Sequence, residues 1–226
     1  MSNSQSTSII GLGVYTLQEA AFYSSISTQK LSRWLYGTKI SDPVITSQLL
    51  QEKLVSFLDL IQSKAIARAR MLGVSLPRVR QAIAFANREL KIDFPLAHRY
   101  ALVEFEKELH IQNGLSNTIT QVTGKNKRQT LMPDVVRPFI QDLDFNKQDI
   151  VERYTPFEHN GIKITFDPWV QFGQPIVGDT GYRADILNKA YLAEGSYRSV
   201  VDEFGVDMED VKTAVLYINS LSKSAA

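Results

Sequence analysis

Two short helix signals lie close together near the N-terminus, and their spacing restricts the fold of this region more than any other feature. Thr16 is placed to cap a helix over residues 17–23, because its hydroxyl can accept a backbone N–H of the first turn. Ser27 is placed to cap a second helix over residues 28–36, and Gly37 can end it. Only a short turn separates the two segments, so the sequence predicts a helix-turn-helix.

The second of these helices divides into an apolar and a polar face. Leu31, Trp34 and Leu35 recur at intervals of three and four residues, which indicates a buried stripe. Most of the remaining side chains suit contacts with bases and phosphates. The predicted DNA-contacting residues are Thr28, Gln29, Lys30, Ser32, Arg33, Tyr36, Thr38 and Lys39. An ordinary helical hairpin in a core is the open alternative.

Arg33 is the first choice for reading a base, because its guanidinium fork can contact a guanine edge through two hydrogen bonds. A single copy of such a motif reads only a short site. Useful affinity therefore predicts a homodimer that binds a palindromic operator.

Charge is distributed unevenly along the 226 residues. Residues 1–100 hold 12 Lys and Arg against 6 Asp and Glu, whereas residues 101–226 hold 13 against 18, so the net charges are +6 and −5. A basic segment suits contact with phosphates, and an acidic segment suits a basic protein surface. The split predicts nucleic acid as the partner of the first part and a protein as the partner of the second, with chance as the open alternative.

Residue types that the chain lacks exclude several classes of protein. There is no cysteine, which excludes a disulfide framework, a thiolate metal site and a thiol nucleophile and favours a reducing cytoplasm. Residues 1–8 lack the pattern of a signal peptide. No apolar run approaches the roughly 18 residues needed to cross a bilayer. The sequence therefore predicts a cytoplasmic protein without a membrane partner.

Candidate metal and catalytic residues are scattered. The acidic run that starts at Asp142 begins like a calcium loop, but Lys147 replaces the sharp-turn glycine and Arg153 replaces the bidentate glutamate. The three histidines, His98, His110 and His159, lie in separate segments without ligand spacing. No nucleophile, base and oxyanion donor come together in the pattern. The sequence predicts no metal, no cofactor and no enzymatic activity.

The rest of the chain predicts an α+β fold that is mostly helical. The predicted helices cover about 51–72, a segment after Ser75, 134–140, 183–193, 196–204 and 207–220. Hairpins are predicted over Tyr100–Ile111 and between residues 153–157 and 162–166, where Asn160 and Gly161 tolerate positive φ. This gives a winged-helix-like N-terminal domain (9–92), a connecting region of hairpin and helix (93–156) and a small three-helix C-terminal domain (157–222).

The last two predicted helices also have helix-turn-helix spacing, but electrostatics favours a different partner. The second of them begins with Asp207, Glu209 and Asp210, which would face the phosphates of DNA. The sequence therefore predicts a protein-binding module. Tyrosines predicted to be exposed are candidate partner contacts, because aromatic side chains concentrate at interfaces. They are Tyr191, Tyr197 and Tyr217.

Three stretches resemble known families. Residues 15–37, YTLQEAAFYSSISTQKLSRWLYG, resemble the first helix-turn-helix of MerR-like regulators, and residues 56–83 resemble the helices that follow in antitoxins carrying such a domain. The stretch ITFDPWVQFGQPIVGDTGYRADIL is similar to the small antitoxin domain called domain of unknown function four-three-three. Its GTR signature is interrupted here between Gly178 and Arg183, so no role of that arginine carries over.

The resemblance implies a VapB-like antitoxin of a type II toxin-antitoxin system. In that class the partner is a PIN-like ribonuclease toxin, and the complex represses its own operon. The alternative is a stand-alone MerR-like transcriptional regulator that senses a signal through its C-terminal half.

Overall fold

The computed structural model describes residues 11–102 and 137–224, which form a mixed α/β fold with a large helical share, as predicted. The N-terminal elements are β1 (Val14–Tyr15), α1 (Leu17–Tyr23), α2 (Thr28–Tyr36), β2 (Val55–Ser56), α3 (Phe57–Met71) and α4 (Leu76–Glu89). Strands β1 and β2 pair antiparallel, with Val14 opposite Ser56. This short pairing places the start of α3 beside the start of α1.

Helices α1 and α2 have the predicted bounds. Thr16 accepts a hydrogen bond from the backbone N–H of Glu19, whose carboxylate accepts one from the backbone N–H of Thr16 in return. Ser27 accepts from the N–H of Lys30. Gly37 ends α2 with a φ of 72°, a conformation that few other residues adopt without strain. The caps that the sequence indicates therefore define this helix-turn-helix.

The prediction that one helix runs from about residue 51 is wrong. Helix α3 begins at Phe57, because Val55–Ser56 is taken up by pairing with β1 and the Ser56 side chain caps the helix by accepting from the N–H of Asp59. Its end is as predicted, at a turn with Gly73 at a φ of 83°. Helix α4 starts directly after Ser75.

The connecting region is described only in part. Residues 99–102 are helical, so the predicted hairpin over Tyr100–Ile111 does not begin as a strand, and its remainder lies outside the described residues. The predicted helix over 134–140 corresponds to α5 (Arg137–Gln141), where residues 134–136 are also outside. The described part of α5 includes Pro138 and continues past it to Gln141.

The second sheet is an antiparallel meander in which each strand pairs with the next. Its strands are β3 (Leu143–Phe145), β4 (Val151–His159), β5 (Ile162–Phe166) and β6 (Pro175–Val177). The predicted turn between β4 and β5 is confirmed, with φ values of 51° at Asn160 and 81° at Gly161. Strand β6 completes the sheet.

Three helices follow the sheet, as predicted. They are α6 (Ala184–Glu194), α7 (Tyr197–Phe204) and α8 (Met208–Ser224). Helix α8 packs against both β5 and α6, so its side chains are covered on two sides. Within the described ranges, no helix is both long enough and apolar enough to pass through a membrane.

The core is continuous between the N-terminal and C-terminal elements. The Tyr15 hydroxyl donates to the carbonyl oxygen of Gly173, and the Tyr23 hydroxyl donates to Oε1 of Gln174 at 3.2 Å. Phe166 lies among the rings of Tyr15 and Tyr23. These buried contacts fix the helix-turn-helix against the second sheet. The winged-helix detail and the division at residues 92 and 156 stay predictions.

Candidate nucleic-acid interface

Helix α2 is anchored by its apolar face. Leu31, Trp34 and Leu35 are all buried, which confirms the predicted stripe and the assignment of Trp34 to the core. The backbone carbonyl of Trp34 accepts hydrogen bonds from the N–H groups of Val44 and Ile45, at 2.7 and 3.2 Å. The loop that follows α2 is therefore held against the helix that it leaves.

The outer face of α2 carries most of the residues predicted to contact DNA. The side chains of Thr28, Gln29, Lys30 and Arg33 are exposed along it, and Ser32 is half-buried. Thr38 and Lys39 are exposed in the next turn, where the N–H of Thr38 donates to the carbonyl of Ser41 at 2.7 Å. The structure brings these residues together on one surface.

Tyr36 is the exception among the predicted contacts. Its ring packs partly into the core, and its hydroxyl is buried without a hydrogen-bond partner among the described residues. Burial raises the pKa of Tyr36, and the nearby carboxylate of Asp59 acts in the same direction. The prediction that Tyr36 turns outward is wrong, because its ring packs against the buried core and its hydroxyl is enclosed there.

Asp59 holds the loop that follows α2, and the sequence did not reveal this role. Its buried carboxylate accepts from the Ser47 hydroxyl at 2.9 Å, from the N–H of Gln48 at 3.2 Å and from the N–H of Ser56 at 3.3 Å. These bonds tie the loop between α2 and β2 to the start of α3. The capping pattern Ser-x-x-Asp at Ser56 was the available signal.

A groove of about 860 Å³ lies between α2, α3 and α4, and we call it the basic groove. Its cationic lining residues are Lys30, Arg33, Lys64, Arg68, Arg70 and Arg80. No acidic side chain of the described residues is part of that lining. Two of these cations come from the outer face of α2, so the groove and the predicted DNA-contacting face are continuous.

Two cations of the basic groove brace the helix-turn-helix. Arg80 of α4 donates to the carbonyls of Pro43 and Asp42, at 2.6 and 2.5 Å, and so fixes the loop after α2. The amine of Lys64 donates to the carbonyl of Tyr23 at the end of α1, at 2.5 Å. Burial lowers the pKa of Lys64 to about 7; the charge of Arg68 adds to this shift, and Asp142 opposes it.

The three tyrosines proposed as partner contacts occupy different environments. Tyr191 and Tyr197 stack on each other, with ring centroids 4.3 Å apart, and both are half-buried. Tyr217 is only 2% exposed and packs against Phe157 and Phe166. The prediction that Tyr217 is exposed is wrong, because α8 is covered on two sides.

Arg183, at the interrupted signature, joins the C-terminal helices to α1. Its guanidinium lies 2.8 Å from the carboxylate of Asp185 and 3.7 Å from that of Glu19. Although burial opposes its charge, the hydrogen bond to Asp185 and the nearby negative groups raise the pKa of Arg183. The arrangement stabilises the junction between α1 and α6.

An exposed apolar turn at residues 169–172 was not anticipated as a surface feature. Trp169 is 73% exposed and Phe172 58% exposed, with Val170 between them. Gln171 and Phe172 adopt φ values of 47° and 55°, which cost free energy in residues that carry a side chain. We call Trp169, Val170 and Phe172 the aromatic turn; exposed aromatic groups of this kind are typical of protein interfaces.

Within residues 11–102 and 137–224 no three metal-ligating side chains converge on one point. Charge and shape are therefore the features that define the candidate site.

Two comparisons each find a similar protein in Mycobacterium tuberculosis. The chain is 20% identical over 225 residues to "Putative antitoxin VapB45" of Mycobacterium tuberculosis, which covers 89% of this chain and 92% of that protein. Its fold is similar to the crystal structure of Rv2018 from Mycobacterium tuberculosis, with a TM-score of 0.64, 18% identity and coverage of 89% and 96%. No model of a protein family matches the chain. The sequence similarity supports an antitoxin-like family.

Proposed function

We propose that this chain is the antitoxin of a type II toxin-antitoxin system. In this proposal it is a cytoplasmic homodimer that represses its own operon through α2 and inhibits a PIN-like ribonuclease toxin through its C-terminal half. It performs no chemistry: inhibition is by occlusion, which requires an interface of about 1,600 Å².

The concentration of exposed cations on one side of the helix-turn-helix carries the DNA part of this proposal. Lys30 and Arg33 project from the outer face of α2, and neither forms an ion pair with another described residue. An α-helix fits the major groove of B-DNA, and an arginine on its outer face can reach a base edge. The ordinary helical hairpin, which we left open above, does not require two exposed cations on this face.

The C-terminal half supplies a surface of a different character for the toxin. This half carries the stacked pair Tyr191 and Tyr197, the exposed aromatic turn and an excess of acidic residues. A ribonuclease must attract a polyanion, so its substrate-binding surface is basic. The acidic charge of this half therefore complements a basic toxin surface, and its exposed aromatic side chains offer apolar area for the proposed interface.

We expect the product of the gene next to this one, when co-expressed, to copurify with the full-length chain and to lose its toxicity. Trp169→Ala should weaken the complex at least tenfold, since exposed tryptophans often contribute about 2 kcal/mol or more to an interface. Arg33→Ala is the matched control and should still neutralise the toxin, because occlusion does not need DNA. Growth rescue and the dissociation constant are the measurements. A neighbour that never binds the wild-type chain would refute the antitoxin assignment.

We expect Arg33→Ala to weaken binding to the DNA upstream of its own gene by about 10- to 100-fold, equivalent to about 1–3 kcal/mol for a lost base contact. Binding to a shuffled duplex should change much less, so the ratio of the two affinities falls. Fluorescence anisotropy with labelled duplexes measures both. Arg198→Ala, an exposed arginine on α7, removes the same charge at a distance and should leave the ratio unchanged. An unaltered ratio for Arg33→Ala would show that α2 does not read bases.

A further inference from the structure

We propose that the basic groove holds the phosphodiester backbone beside the major groove that α2 enters, and that Arg70 is a phosphate-contacting residue. This inference rests on the proposed function and deepens it. It adds side chains of α3 to an interface that the sequence assigned to residues 28–39 alone.

The position of the groove relative to α2 is the first argument. Lys30 and Arg33 belong both to the exposed face of α2 and to the lining of the groove. The groove therefore opens on the side from which DNA would approach. The major groove is only about 12 Å wide and is bordered on each edge by a phosphate backbone, so the element next to a recognition helix meets phosphates.

The cations of the basic groove differ in whether they already have a partner within the protein. Arg80 and Lys64 are engaged by backbone carbonyls, and Asp142 faces Lys64 and Arg68 from the end of α5. Arg70 is exposed at the end of α3 and uses Nη1 to donate to the carbonyl of Val74 at 2.6 Å. This bond holds the side chain in place while its other nitrogen donors remain able to meet a phosphate. Lys30, Arg33 and Arg70 thus form the accessible rim.

The distribution of the cations favours a strand of nucleic acid over a small anion. The groove, of about 860 Å³, is continuous with the exposed face of α2. Its accessible cations come from both α2 and α3, which suits a backbone that carries a row of phosphates. Contacts of this kind position a protein on DNA without reading its sequence.

The test measures how affinity depends on salt, using the full-length chain with the duplex from upstream of its own gene and a shuffled duplex of equal length. Each phosphate contact contributes about 0.9 to the slope of log K against log salt concentration. We expect Arg70→Gln to reduce this slope by about 1 on both duplexes and to leave the ratio of the two affinities unchanged. Glutamine removes the positive charge and keeps a polar side chain at the end of α3. Arg198→Gln serves as the charge-matched control and should leave the slope as it is.

Each outcome decides the proposal. A reduced slope with an unchanged affinity ratio supports a backbone contact. An unchanged slope for Arg70→Gln, while Arg33→Ala still lowers the ratio, overturns the groove contact and leaves the operator function standing. Saturable binding of a nucleoside triphosphate that Arg70→Gln abolishes, without a change in slope, assigns the groove to a small molecule. Failure of the wild-type chain to bind either duplex at low salt overturns this inference and operator binding together.

Discussion

Replacing Tyr217 by alanine is expected to lower the free energy of unfolding by about 3–5 kcal/mol, the range found for large aromatic residues removed from a core. The ring is 2% exposed and packs between Phe157 and Phe166, with centroid distances of 5.8 and 6.4 Å. The surrounding aromatic side chains cannot fully fill the cavity that the substitution leaves. Urea denaturation followed by circular dichroism would show an earlier midpoint with an unchanged slope.

Tyr217→Phe is the informative control for this variant. The Tyr217 hydroxyl is buried and has no hydrogen-bond partner among the described residues, and burial raises its pKa well above the ordinary value. Removing an unsatisfied hydroxyl loses no hydrogen bond, so we expect stability within about 0.5 kcal/mol of the wild type or slightly above it. Tyr197→Ala, at the half-buried stacked pair, should cost about 1 kcal/mol.

The opposite pattern would restore the interpretation of Tyr217 as a partner contact. In that case Tyr217→Ala would leave the midpoint unchanged and would weaken binding of the toxin.

The difference between Tyr217 and the helix caps shows which parts of the fold were predictable. Thr16 and Ser27 accept from backbone N–H groups within a few residues of themselves, and Asn160 adopts the positive φ of a tight turn, so their roles follow from local sequence. Helix α8, in contrast, is covered on two sides by elements distant in sequence. A single periodic stripe predicts one buried face, and the second face is visible only after the sheet is assembled.

The same reason explains what was found and missed at the candidate site. The exposed face of α2 follows from three apolar residues at helical spacing, and Arg33 lies on that face as the pattern predicts. The basic groove was missed because Lys64 and Arg80 contact backbone carbonyls 41 and 37 residues away. Charge counting indicated a basic N-terminal part but could not assign its cations to one groove.

Gly173 lies where the N-terminal elements contact the second sheet. Its φ is 84°, and its carbonyl accepts a hydrogen bond from the hydroxyl of Tyr15, the residue before the cap of α1. A Cβ at this position would lie 2.7 Å from the Tyr15 hydroxyl oxygen and 3.1 Å from the Cα of Gly13. Neither neighbour can move freely, because Tyr15 is fully buried and Gly13 lies beside Phe57. The tight contact is therefore specific to glycine.

We expect Gly173→Ala to destabilise the protein by about 2–5 kcal/mol, of which about 1–2 is the left-handed backbone and the rest is crowding. Gly161→Ala isolates the first part, since Gly161 has a φ of 81° but nothing within 4 Å of its added methyl group. It should cost about 1–2 kcal/mol. Urea denaturation of both variants and of Gly173→Ala in a Tyr15→Phe background gives the coupling between the two residues. If the two glycine variants prove equally stable, the close packing of the helix-turn-helix against the second sheet is wrong. If the Tyr15→Phe background reduces the loss of unfolding free energy caused by Gly173→Ala, crowding against the Tyr15 hydroxyl is the cause.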